Sequence, residues 1–138
     1  MKLEDDHYCF ACGRENPEGL HLVFEGGGRG VMAVFTPERR HHGYKGIVHG
    51  GIISAILDEA MAHAAIKAGQ MPVTAEISVR FRNALPVGQK VRVEGWIEGD
   101  PDDLEKSRAR RLLEAASELK TYPGGGLVAA ARAKLMQP

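Results

Sequence analysis

A His-Gly-Gly turn, His49–Gly51, stands directly ahead of the run IISAILDEA, which carries two adjacent carboxylates, Asp58 and Glu59. A helix N-terminus presents unpaired backbone N–H groups and the positive end of a dipole. Glycine at that place lets another group approach the backbone, because no Cβ intervenes. Asp58 follows Gly51 by seven residues, two helical turns, so the two fall on the same side of a helix. An oxyanion-binding turn and a carboxylate on one face can hydrolyse an activated acyl group.

The neighbouring acid reads differently. Glu59 is rotated by about 100° from Asp58 and stands four residues before His63, a favourable helical spacing for a surface ion pair. A serine-hydrolase reading of Ser54 fails, because no G-x-S-x-G elbow surrounds it.

Those residues need a helix, and the sequence supplies one over about Gly50–Ala68, with Gly69 as its C-terminal cap and Pro72 beyond. Ile53, Ile56, Leu57, Ala60, Met61 and Ala64 recur at helical spacing and predict a core-facing stripe. Gly51, Ser54, Ala55, Asp58 and Ala62 form a second stripe of small residues around one carboxylate, which leaves room for a molecule to lie against the helix. Before the helix, Gly19–Glu25 and Gly30–Thr36 are β-rich runs separated by Gly26–Arg29, a hairpin signal. A charged loop with His41, His42 and Tyr44 then leads to the turn.

After the helix, Val73–Leu85 alternates, with Ile77, Val79 and Phe81 on one face and Ser78, Arg80 and Arg82 on the other. A turn at Pro86–Gln89 leads into a further strand over Val91–Gly99. From Asp100 local signals conflict: helix formers abound, and Asp100 and Pro101 resemble a helix start. Yet Ala109, Leu113, Ala115, Ser117, Leu119 and Thr121 fit one face of a strand. A Pro123–Gly126 turn and the run Leu127–Met136 follow as in a hairpin, so strand is expected over about Ser107–Tyr122, propensity yielding to context. The order β-β-α-β-β-β-β leaves one apolar helix to cover an antiparallel sheet, which predicts an α+β domain with the sheet wrapped around a central helix.

The 138 residues suit one domain, 1–138, whose first eighteen form a loop segment. Lys plus Arg equals Asp plus Glu, 18 each, which gives no electrostatic case for nucleic acid or a charged membrane. Apolar runs fall short of a bilayer span, and no signal-peptide core follows Met1, so a cytoplasmic protein is expected. Cys9 and Cys12 share one CFACG motif. A lone C-x2-C does not complete a structural zinc site; His7 and His21 are the donors that would in principle do so. Gly13, Asn16, Pro17 and Gly19 mark turn rather than the helix a redox pair would open. Two small thiols packing a loop, with no metal, are therefore expected.

The segments CFACGRENPEGLHL, HHGYKGIVHGGIISAILDEAM and TAEISVRFRNALPVGQKVRVEG resemble the hot-dog fold thioesterases, in particular the PaaI-like (phenylacetate-degradation) branch of acyl-CoA thioesterases. The HGG with an acid nine residues after the His carries most of the likeness; 100–138 match loosely. The resemblance implies dimers, often assembled into tetramers, with active sites between subunits, and acyl-CoA as substrate without metal or redox cofactor. It makes Asp58 the catalytic carboxylate, as general base or as nucleophile, and makes the Gly50 N–H the group that polarises the thioester carbonyl. Gly51 would permit close approach, and His49 would orient the turn or hydrogen-bond near the carbonyl; its structural alternative is a histidine that caps the helix. His42 stands where related enzymes place a Gln or similar polar side chain. Ser54 and Thr74 are candidates for holding water. Arg80 and Arg82 are the favoured cations for the coenzyme phosphates, ahead of Arg39, Arg40, Lys45 and Lys90. Rival readings are a non-catalytic acyl-CoA-binding protein and a dehydratase or hydratase, whose Asp/His pairing is not apparent.

Overall fold

One long helix crosses one face of a six-stranded antiparallel sheet. The structure is a computed structural model and describes residues 2–27, 30–99 and 112–138. In chain order the elements are β1 (Glu25–Gly27), β2 (Gly30–Phe35), a single 3-10 turn (Arg39–His41), α1 (Gly50–Lys67), β3 (Val73–Phe81), β4 (Val91–Ile97), β5 (Leu112–Thr121) and β6 (Leu127–Met136). The sheet order is β1-β2-β4-β5-β6-β3. After β2 the chain therefore runs along the helix, lays β3 at the far edge, and returns with β4 to pair beside β2.

The stripe expected to face the core does so: Ile53, Ile56, Leu57, Ala60, Met61 and Ala64 are all buried. The helix ends where glycine permits it. Gly69 takes a φ of 84°, and the N–H groups of Gly69 and Gln70 reach back to the carbonyls of Ile66 and Ala65, closing a Schellman cap.

Strand register fixes which residues face the helix. A line of paired residues, Val31, Gly95, Ser117, Ala131 and Val79, crosses the sheet on the helix side. The next line, Gly30, Trp96, Ala116, Arg132 and Ser78, lies on the outer side. The helix approaches closely at Gly95, where a Cβ would stand 2.4 Å from the Ala60 carbonyl oxygen. Beside it the buried Ser117 hydroxyl donates to the Leu57 carbonyl at 3.0 Å, a direct sheet-to-helix tie.

The strand expected over Gly19–Glu25 is absent: only Glu25–Gly27 pairs with β2. The Leu20 and Leu22 N–H groups donate instead to the carbonyls of Phe10 and Ala11, and His21 takes a φ of 54°, which breaks an extended run. Leu20, Leu22 and Phe24 are nonetheless buried. For the contested C-terminal third, the strand reading holds across Leu112–Thr121, with Leu113, Ala115, Ser117 and Leu119 buried. Residues 107–111 of that strand, the proposed helix start at Asp100 and Pro101, and the hairpin-turn residues Gly28 and Arg29 lie outside the described residues. Among the described residues no helix is long and apolar enough to cross a membrane.

Candidate active site

The helix N-terminus is shaped by His49. Its backbone is extended, and its Nδ1 accepts from the Gly51 N–H at 2.8 Å, so it serves as the helix cap. The His49 N–H in turn donates to the His41 carbonyl at 2.9 Å. Gly51 fits against the capping ring: a Cβ there would lie 3.0 Å from His49 Nδ1. Capping uses the Gly51 N–H, and among the described residues the Gly50 N–H has no acceptor. Gly50 lies beneath the Phe81 ring, which a Cβ would meet at 3.4 Å.

Gly50, Ser54 and Asp58 follow at intervals of four and so line up along one side of α1. The Ser54 hydroxyl donates to the Gly50 carbonyl at 2.8 Å, so its proton is committed to the helix backbone. Asp58 is partly buried, and its Oδ1 accepts from the Thr74 hydroxyl at 2.7 Å. Burial pushes the Asp58 carboxyl above its ordinary value; the Thr74 hydrogen bond opposes the rise and the neighbouring Glu59 charge adds to it. The second Asp58 oxygen is left for another partner.

Thr74 reaches Asp58 because β3 is bulged. Thr74 pairs with Leu135 and Glu76 with Lys134, so Ala75 is an extra residue in the ladder. Strict alternation would put Thr74 on the outer face with Ser78 and Arg80. The bulge turns it to the helix side with Ile77, Val79 and Phe81, the kind of re-aiming that bulges produce.

Glu59 is not the surface residue expected. Its side chain is 16% exposed and points toward the N-terminal loop, where His63 Nε2 lies 3.1 Å from Oε1 and the Cys9 thiol 3.8 Å away. Burial alone would raise its carboxyl; hydrogen bonds from His63 and Cys12 and the His63 charge outweigh that and hold it below its ordinary value. Burial, with Glu59 beside it, pushes the Cys12 thiol well up. Adjacent acids on one helix thus serve opposite sides, Asp58 facing β3 and Glu59 facing the CFACG loop.

The remaining sequence-derived candidates are spread more widely. A hollow of about 330 Å³ opens at the helix N-terminus, lined by Gly50, Ile53, Phe81, Arg82 and Leu85 among others. A second hollow of about 420 Å³ lies on the outer sheet face and is lined by Arg80, Arg82, Trp96 and Arg132 among others. Arg82 borders both, whereas Arg80 borders only the outer one. His42 is exposed on the loop that bridges to Val48. Arg40 is spent on the Glu38 carboxylate and on the carbonyls of Glu18 and Gly19.

Comparison with known proteins agrees with this architecture. The fold is that of the hot-dog thioesterases, an antiparallel sheet packed on one long helix. Residues 45–99, which include the turn, α1 and β3, match the model of the thioesterase superfamily. Mouse (Mus musculus) acyl-coenzyme A thioesterase THEM5 is 30% identical over 92 residues, 62% of this chain and 37% of that protein. The chain thus spans little more than a third of the mouse relative's length. Zebrafish thioesterase superfamily member 2 superposes with a TM-score of 0.76 at 17% identity, covering 92% of this chain and 90% of that one. A hypothetical thioesterase protein of Streptococcus pneumoniae, solved with coenzyme A, gives 0.72 at 16% identity over 83% of this chain and 84% of that one. Pneumococcal structures with an aspartate or a threonine replaced by alanine, the two positions sixteen residues apart, are equally similar.

Proposed function

We propose that this chain is an acyl-CoA thioesterase that converts R–CO–S–CoA and water into R–COOH and free coenzyme A. The observation that carries the reading is Asp58, fixed by Thr74 on the same side of α1 as the unpaired Gly50 N–H. The free oxygen of Asp58 takes a proton from a water whose oxygen attacks the thioester carbon. The carbonyl oxygen, now negative, is held by the Gly50 N–H and the helix dipole. Collapse of the tetrahedral intermediate breaks the C–S bond, and the proton on Asp58 passes to the departing thiolate. His49 holds the turn in the geometry this requires, and Gly51 leaves space beside it. In the pneumococcal protein the substituted aspartate and threonine stand sixteen residues apart, the same separation as Asp58 and Thr74. The similarity to THEM5 supports acyl-CoA as substrate, and the Ala- and Ile-rich side of the helix suits aryl or short- to medium-chain acyl groups. Of the two favoured arginines, Arg82 borders the hollow at the helix N-terminus and is the one we assign to a coenzyme phosphate. Free-thiol release from a panel of such acyl-CoAs tests the reaction. Binding without thiol release would instead identify an acyl-CoA-binding protein.

Thr74 is a positioning residue in this scheme. Thr74→Val keeps the shape and removes the hydrogen bond to Asp58, worth about 1.5 kcal/mol or more when the acceptor is charged. We expect kcat lower by on the order of tenfold, KM little changed, and recovery in Thr74→Ser. Full activity in Thr74→Val would remove Thr74 from the mechanism.

We further propose that two copies join through β3. It is an edge strand, and its helix-side residues Ile77 and Phe81 remain 38% and 53% exposed. A long edge left bare invites strand pairing, and pairing there would bring a second subunit up to the helix N-terminus. A tetramer would then be a dimer of dimers. Sedimentation at micromolar concentration should give at least a dimer; a fully active monomer would refute the assembly.

A further inference from the structure

We propose that Cys9, Cys12 and Glu59 form a binding site for a zinc ion, with His63 on hand for the fourth position. The donor atoms of the first three residues lie within 4.8 Å of one another. Tetrahedral zinc with Zn–S bonds of about 2.3 Å sets its sulfur ligands roughly 3.8 Å apart, so small side-chain adjustments would close the site. Cys9 Sγ already lies 3.8 Å from Glu59 Oε1, and His63 Nε2 lies 3.1 Å from the same oxygen.

The backbone around the thiols is built independently of any ion. The Gly13 N–H donates to the Cys9 carbonyl at 2.8 Å. A Cβ on Gly13 would stand 2.3 Å from the Cys9 nitrogen, so only glycine fits this turn. The carbonyls of Phe10 and Ala11, between the two cysteines, accept from Leu20 and Leu22. Asn16 Nδ2 donates to the Tyr8 carbonyl at 3.2 Å. The turn therefore presents its thiols to α1 as part of a braced loop. On the helix, the His63 ring stacks on Phe24 with centroids 4.5 Å apart, which limits its rotation beside Glu59.

Thiolates with carboxylate and imidazole form a donor set that suits zinc better than magnesium or calcium, which favour oxygen ligands. Each cysteine thiol gives its proton to solvent as its sulfur binds, so loading releases protons. The donors differ from those the sequence offered: His7 is exposed and near Asp5, and neither it nor His21 belongs to the cluster. A metal here would clasp the N-terminal loop to α1 one residue from Asp58, a structural role separate from the proposed chemistry.

The test is metal analysis of protein purified without chelator, followed by titration of the metal-free protein with cobalt(II) and zinc. We expect about one zinc per chain and a thiolate-to-cobalt charge-transfer absorption, which reports sulfur ligation directly. Cys12→Ser and Glu59→Gln should each weaken zinc binding by at least the ~10–100-fold that loss of an outer-shell partner costs, while His21→Ala should not. Wild-type protein that carries no zinc and shows no thiolate–cobalt band would overturn the proposal whatever the variants do. So would a band unchanged in Cys12→Ser.

Discussion

Asp58→Asn is expected to lower the rate of thiol release by on the order of 10²–10⁴-fold, the range for loss of a general base. The substitution is chosen because its structural cost is small. The amide oxygen still accepts from the Thr74 hydroxyl that now bonds Oδ1 at 2.7 Å, and the side chain keeps its shape. What disappears is the basic oxygen left free for water. The loss should therefore fall on kcat, with acyl-CoA affinity and thermal midpoint near wild type. Steady-state kinetics beside a melting curve separates this from a folding defect. An Asp58→Asn protein that turns over at the wild-type rate would show that the carboxylate chemistry lies elsewhere.

Gly95→Ala should strongly destabilise the packing of the helix on the sheet. Gly95 faces α1 from the middle of β4, and a Cβ would sit 2.4 Å from the Ala60 carbonyl oxygen and 2.9 Å from the Ala60 Cβ. Backbone cannot yield as a flexible side chain can, so the helix must lift from the sheet. That movement would weaken the adjacent bond from Ser117 to Leu57. Overpacking in a filled core typically costs about 1–3 kcal/mol and at times more; with backbone on both sides we expect ~3 kcal/mol, or roughly 10 °C in the unfolding midpoint. Gly30→Ala, on the neighbouring β2, is the control. Its Cβ would meet only ordinary contacts at 3.4 Å or beyond. Equal midpoints for the two variants would contradict the close helix–sheet contact.

Much of this architecture is written in short-range patterns. The helix and its buried stripe follow from 3.6-residue spacing, its end from Gly69, and β6 (Leu127–Met136) from an apolar run that follows the Pro123–Gly126 turn. β5 was the hard case. Its helix-forming composition opposed its alternation, and alternation prevailed because Leu113, Ala115, Ser117 and Leu119 each meet the core. Patterns failed where one residue changed the geometry. The unpaired Ala75 reverses the face of Thr74, so its contact with Asp58 could not be read from alternation. At Gly19–Phe24 a convincing β run gives its N–H groups to an N-terminal loop forty residues before the helix that loop packs against. Glu59 forms the ion pair with His63 that its spacing suggests, but half-buried rather than at the surface. Its spacing to His63 was visible, while the cysteines across from it were joined to it only by the fold. The helix-borne candidates His49, Gly50, Gly51, Ser54 and Asp58 come together as their spacing suggested. Arg80 and His42 do not join them through any described contact, and Arg82 does so only at the rim of the hollow.

The central claim is tested most directly by following free thiol and free acid together as the wild-type chain turns over aryl-, short- and medium-chain acyl-CoAs, with Asp58→Asn beside it. Catalytic turnover is expected on at least one member of the panel, with thiol and acid formed in equal amounts and both nearly lost in the variant. Saturable acyl-CoA binding with no thiol released by the wild type on any of them would contradict it and make the chain a binding protein.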